Sequence, residues 1–177
     1  APLLVVHGGQ DKLIPVAGEV KWAAPRVTLD TAAQTATFTF TKPIPPGIYQ
    51  LAIGYSGKIG TQSNGLFALD YETVAGKQRG LFTQFAVSEA RSFVPSWDEP
   101  AYKATFALQA TVPSDQMAVS NLPAISTDAL GNGLKRVRFA PSPMMSSYLL
   151  FFALGDFERA TARAGATEVG VITRRDA

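Results

Sequence analysis

Cysteine is absent from the 177 residues, and histidine occurs once, at His7. Without thiols there is no disulfide framework, no CxxC redox pair and no thiolate metal site, and a reducing or an oxidising compartment is equally tolerated. A catalytic zinc takes about three protein ligands, and an HExxH helix needs two histidines one turn apart. A single histidine supplies neither, and the carboxylates show no EF-hand spacing. The sequence therefore predicts no catalytic residue set and no metal or cofactor held by this chain.

Charge is also scarce. Charged residues make up 17%, with 16 Lys plus Arg against 14 Asp plus Glu, a formal net charge of +2. That excess is too small and too scattered for a nucleic-acid footprint. The nearest approach to a basic cluster is Lys135, Arg136 and Arg138, where alternation puts Arg136 and Arg138 on one solvated strand face. No apolar run nears the roughly 20 residues that span a bilayer, so no transmembrane segment is expected. The apolar opening Ala1-Pro-Leu-Leu-Val-Val has no basic stretch before it, and no signal peptide is read there. Cytoplasm and periplasm both stay open.

What is abundant is apolar residues, 46% of the chain, enough for one packed domain. They alternate with polar ones in short runs separated by Gly, Pro and Asn, the period of half-buried strands. Strands are expected at Arg26–Asp30 and Gln34–Thr41, joined through a turn at Asp30-Thr-Ala-Ala, and at Ile48–Gly57. Further strands are expected at 65–71, 79–84, 102–112, 116–120, 134–139, 147–155 and 168–174. Ser88-Glu-Ala-Arg-Ser reads as a short helical turn that Pro95 keeps from lengthening, and Gly131-Asn132-Gly133 reads as a tight loop. Turn signals about every ten residues favour an all-β fold, an antiparallel β-sandwich or saddle-shaped curved sheet, over any βαβ arrangement.

Two stretches carry resemblances. Leu3-Leu-Val-Val-His-Gly-Gly-Gln-Asp-Lys-Leu-Ile-Pro15 is similar to the late strand and loop of α/β-hydrolases, where Asp11 would be the triad acid. That family places its serine upstream and its histidine downstream of the acid. Nothing upstream supplies the serine, no G-x-S-x-G occurs, and no histidine follows Asp11.

The second resemblance is more extensive. Thr83-Gln-Phe-Ala-Val-Ser-Glu-Ala-Arg-Ser-Phe-Val-Pro-Ser-Trp-Asp-Glu-Pro-Ala-Tyr-Lys-Ala-Thr-Phe106 resembles the segment that zinc aminopeptidases of the aminopeptidase N and puromycin-sensitive type carry before their catalytic domain. The family pattern is TQFE, a spacer, AR, FPCxDEP and KAxF. Gly65-Leu-Phe-Ala-Leu-Asp-Tyr71, Ser120-Asn-Leu-Pro123 and Met145-Ser-Ser-Tyr-Leu-Leu-Phe-Phe-Ala-Leu-Gly-Asp-Phe157 match further family motifs in order, and the likeness covers residues 26–175. Residues 1–25 do not align with the family's opening strands, which implies an unpaired sheet edge and self-association through it. Val169–Arg175 resembles the strand that leads into the catalytic domain. The zinc-binding HExxH would lie beyond it.

The resemblance implies a non-catalytic, substrate-capping N-terminal domain that meets the N-terminus of a peptide substrate alongside its own catalytic domain. Gln84 matches a residue bordering the first substrate side-chain pocket. Ala86 stands where the family has a Glu or Gln that holds the substrate's α-amine, and a methyl can neither accept a hydrogen bond nor carry charge. Arg91, Asp98 and Glu99 are expected to build the acidic loop that Pro95 and Pro100 frame. Trp97, Tyr102 and Phe106 are expected to pack. A stand-alone β-sandwich binding module is the alternative of another class, and an Asp11-dependent esterase is a third. The first two differ in whether the open reading frame continues past Ala177 into an HExxH.

Overall fold

The computed structural model describes residues 3–4, 12–15, 25–74 and 76–175. His7, Asp11 and most of the hydrolase-like stretch lie outside them. The chain divides into two compact units, Pro2–Ser56 and Gly57–Ala177.

The first unit contains β1 (Leu3–Leu4), β2 (Lys12–Pro15), β3 (Arg26–Asp30), β4 (Thr35–Thr39) and β5 (Tyr49–Ala52). β2 pairs antiparallel with β5, and β3 with β4. The β3–β4 turn forms where the sequence signals it. The Asp30 carboxylate accepts the N–H groups of Ala32 at 3.0 Å and Ala33 at 2.9 Å, the side-chain-to-backbone pattern that makes aspartate a turn former.

The second unit is an antiparallel sandwich. One layer is four-stranded and contains β6 (Gly65–Thr73), β7 (Gly76–Gln84), β10 (Met117–Ser120) and β14 (Phe152–Gly155), in the order β10-β14-β7-β6. The other is three-stranded, with β9 (Gln109–Pro113), β11 (Ala124–Gly131) and β12 (Leu134–Phe139) in the order β11-β12-β9. Val112, Val137 and Phe139 of the second layer pack on Phe152 and Leu154 of the first, and all five are buried. Leu66, Leu81, Leu108, Ala110 and Ala118 close around them. Alternate residues of each strand face this seam, as a sheet buried on one face requires. Burying one such side chain stabilises by about 1.5–3 kcal/mol.

β8 (Lys103–Phe106) pairs with β13 (Met145–Ser146), and β15 (Phe157–Ala164) forms a separate hairpin with β16 (Thr167–Arg174). Single 3₁₀ turns lie at Ala90–Ser92 and Ser147–Leu149. The fold is all-β, as the alternation predicts. The Gly131-Asn132-Gly133 loop joins β11 to β12 with φ of 79°, 51° and 73°, the left-handed region its residue types tolerate.

Several details differ from the sequence reading. The single strand expected over 102–112 is two, because its halves have different neighbours: β8 pairs with β13, whereas β9 pairs with β12. The stretch 147–155 opens with a 3₁₀ turn before β14 starts. β11 and β15 were not anticipated. β15 is Phe-Glu-Arg-Ala-Thr-Ala-Arg-Ala, rich in helix formers and exposed beyond Phe157. Only its eight-residue register with β16 makes it a strand.

Candidate functional site

The motif segment starts as β7 runs out. Ladder pairing between β7 and β14 is Phe82 with Ala153 and Leu81 with Leu154. One residue further, the Thr83 side chain takes over from the backbone. Its Oγ1 accepts the Phe152 N–H at 2.8 Å and donates to the Phe152 carbonyl at 3.2 Å. A buried backbone needs such partners, and the threonine hydroxyl provides both where the ladder ends. On the other side Gln84 still faces Gly65 of β6.

The chain then turns. Gln84 and Ala86 are exposed on either side of Phe85, which is 1% exposed. Phe85 packs on Phe93 with ring centroids 5.5 Å apart. The Ala86–Val87 peptide is cis. The Phe85 carbonyl accepts the Glu89 N–H at 3.3 Å, and the Glu89 carbonyl accepts both the Ser92 N–H at 3.1 Å and the Ser92 hydroxyl at 2.6 Å. Ser92 sits in space that Gly65 leaves open: a Cβ on Gly65 would run into the Ser92 Oγ.

The acidic loop locks onto this turn. The Asp98 side chain is 1% exposed. Its Oδ2 accepts the Arg91 backbone N–H at 2.9 Å and the Arg91 Nε–H at 3.3 Å, while its Oδ1 accepts the Ser147 hydroxyl. Arg91 Nη2 donates to the Asp98 carbonyl at 3.1 Å and lies 3.8 Å from the exposed Glu99 carboxylate. Ser146 donates to the Pro100 carbonyl at 2.7 Å. A buried carboxylate is tolerated only when its lone pairs are met in this way. With Asp98 turned inward, its neighbour Trp97 points out. Trp97 is 70% and Tyr102 60% exposed, against the expectation that both pack, whereas Phe106 is buried.

Asn121 completes the cluster. Its Nδ2 donates to the Leu149 carbonyl at 2.8 Å and its Oδ1 accepts the Phe151 N–H at 2.7 Å, while Ser120 donates to the Phe151 carbonyl at 2.7 Å. Three motifs spread along the sequence thus meet on one short segment of a fourth, Ser146–Phe152. Thr83 reaches its end, Asp98 and Pro100 its start, and Asn121 its middle.

Sequence reading singled out Gln84, Ala86, Arg91, Asp98 and Glu99. The structure joins Arg91, Asp98 and Glu99 in one group and carries Gln84 and Ala86 on the adjoining turn. Thr83, Ser147 and Gly65 were not assigned roles from sequence. Thr83 and Ser147 lay inside matched motifs, which was the available signal, but their partners are 69 and 49 residues away. Of the basic residues 135–138, Lys135 donates to the Ser114 carbonyl at 2.9 Å and Arg138 pairs with Asp128 at 3.0 Å.

Among the described residues no group of three or more His, Cys, Asp or Glu could hold a metal ion. No helix among them is long and apolar enough to cross a membrane. The class defined so far is an antiparallel β-sandwich domain with one hydrogen-bonded loop cluster at its rim. Residues 12–149 match the family described as the peptidase M1 N-terminal domain, and the chain belongs to that family. It is 43% identical over 146 residues to an aminopeptidase N of Acetobacter pasteurianus, covering 82% of this chain and 41% of that protein. It is 34% identical over 155 residues to aminopeptidase M1 of Arabidopsis thaliana, covering 88% of this chain and 18% of the relative. A puromycin-sensitive aminopeptidase of Caenorhabditis elegans is 34% identical over 147 residues, 82% of this chain and 15% of its own length. The chain spans less than half of each of these relatives.

Proposed function

We propose that this chain is the non-catalytic, substrate-capping domain of a zinc aminopeptidase that removes N-terminal residues from peptides. Zinc and the reacting groups belong to the enzyme's catalytic domain, which this domain faces as a partner. The observation that supports the reading is the exit from β7. Gln84 and Ala86 are exposed there, while the residue between them is buried and the turn that follows is pinned. Such a turn presents short side chains at a fixed place, which is what a wall of a substrate site needs.

Gln84 is the polar residue of that wall, able to donate and accept. Ala86 offers only a methyl, so the enzyme holds the substrate ammonium weakly or through other residues. Ala86→Glu in the full-length enzyme adds a carboxylate, and a charge-assisted hydrogen bond is about twice as strong as a neutral one. The expected result is a lower KM for aminoacyl substrates. Unchanged KM and kcat would overturn the assignment.

A further inference from the structure

The buried Asp98 lies apart from the exposed pair Gln84 and Ala86, and the contacts it makes point to a role beyond holding its own loop. We infer that Asp98 is a positioning residue: with Arg91 and Ser147 it clamps the turn that carries Gln84 and Ala86 onto the Ser146–Phe152 segment. The inference rests on the capping reading above and assigns to the clamp the job of fixing where that wall stands.

Three connections carry it. Asp98 grips the turn at Arg91 through both the backbone N–H and the side-chain Nε–H, so the 3₁₀ turn cannot shift without breaking both. It grips the sandwich through Ser147, 3% exposed, in the segment that precedes β14. From Arg91 the turn is tied back to the wall by the Phe93–Phe85 ring contact and by the Glu89 N–H on the Phe85 carbonyl. On the opposite side Ser92 fits into the space that Gly65 leaves open. Between these anchors Ala86, Val87 and Ser88 are exposed. Their position is therefore set from both ends and not by their own burial. A rigid element of this kind fixes a site because supporting hydrogen bonds hold the groups that touch ligand in place.

The chain's lack of cysteine makes the clamp directly measurable. Ser88→Cys places a single thiol on the turn, and Asp115→Cys places one on the exposed β9–β10 connection as a reference; each is spin-labelled in the 177-residue chain. In the otherwise native chain the label at position 88 should give an immobilised spectrum. Asp98→Asn keeps the shape but removes the charge, and Ser147→Ala removes the second anchor. Either should convert the position-88 spectrum to a mobile one and leave position 115 unchanged. If Asp98→Asn does not fold, Ser147→Ala carries the test alone. An unchanged spectrum at 88, or equal loosening at 88 and 115, would overturn the inference.

A second arm separates the clamp from the reading it rests on. In the full-length enzyme, Ser147→Ala should raise KM for aminoacyl substrates several-fold with a smaller effect on kcat. Loosening at position 88 with KM unmoved would uphold the clamp and overturn the capping function.

Discussion

Thr83, Asp98, Ser146 and Ser147 are all buried, and each uses its polar atoms on a partner distant in sequence. Removing one partner of a buried charged group costs about 3–5 kcal/mol, because the other is left desolvated and unpaired. The Asp98 cluster is therefore far more sensitive to substitution than the exposed ion pairs. Arg79 and Asp70 illustrate the contrast, with a bidentate pair at 2.6 and 2.9 Å on the surface of β6 and β7. Hydrogen bonds from Arg79 hold the Asp70 carboxyl below the ordinary carboxylate range and raise the guanidinium in turn. A depressed folded-state value means that the stabilisation is present above the ordinary carboxylate range and is lost as pH falls through the lowered value. Exposure and salt screening keep it small. Arg79→Gln should bring the Asp70 titration midpoint, followed by carboxyl carbon NMR shifts, up toward the ordinary range. An unmoved midpoint would remove the hydrogen bonds as its cause.

At the scale of elements, the start of β6 and the 3₁₀ turn depend on each other. Gly65 has φ of 64° and is buried. An L-residue in that region costs about 1–2 kcal/mol, and a Cβ would in addition collide with the Ser92 hydroxyl. Gly65→Ala should lower the urea midpoint, and with it the unfolding free energy by at least that cost, and also loosen the turn beside Gln84. A midpoint equal to that of the native chain would mean that β6 and the turn adjust independently. Gly131 and Gly165 also have positive φ, but a Cβ there meets nothing within 4 Å, so a replacement at either meets only the backbone cost. β15 is the element least specified by its own residues. Its alanines, arginines and glutamate suit a helix, and the hairpin turn at Gly165, with φ of 63°, together with the β16 ladder decides otherwise.

For the whole molecule, the sandwich seam supplies the stability and the rim cluster supplies the geometry. β6 ends the four-stranded sheet, and beyond it the isolated bridge from Gly60 to Phe67 is the outer pairing recorded among the described residues. Leu69 on that strand is 53% exposed. A long edge strand is a template for further strand pairing. Association that grows with protein concentration is the expected behaviour in sedimentation velocity, and Leu69→Lys should reduce it. A clean monomer across the whole concentration range would count against edge pairing.

The sequence by itself determined the all-β class, since period-two alternation and frequent turn residues leave no helix long enough to form a layer. It also determined the family, because the ordered motifs around Thr83–Phe106, Ser120–Pro123 and Met145–Phe157 need no coordinates to be recognised. Local turns were legible for the same reason: Asp30 and Gly131-Asn132-Gly133 act through atoms within a few residues of themselves. The tertiary structure decided the rest. That Asp98 binds Ser147, that Thr83 completes the backbone of Phe152, and that Gly65 makes room for Ser92 are contacts between residues 27 to 69 positions apart. No periodicity encodes such contacts, because each exists only once two strands have chosen their neighbours. The same holds for Trp97, whose aromatic ring suggests a core residue. It faces outward because the neighbouring carboxylate is met by Arg91 and the buried Ser147 and takes the inward place.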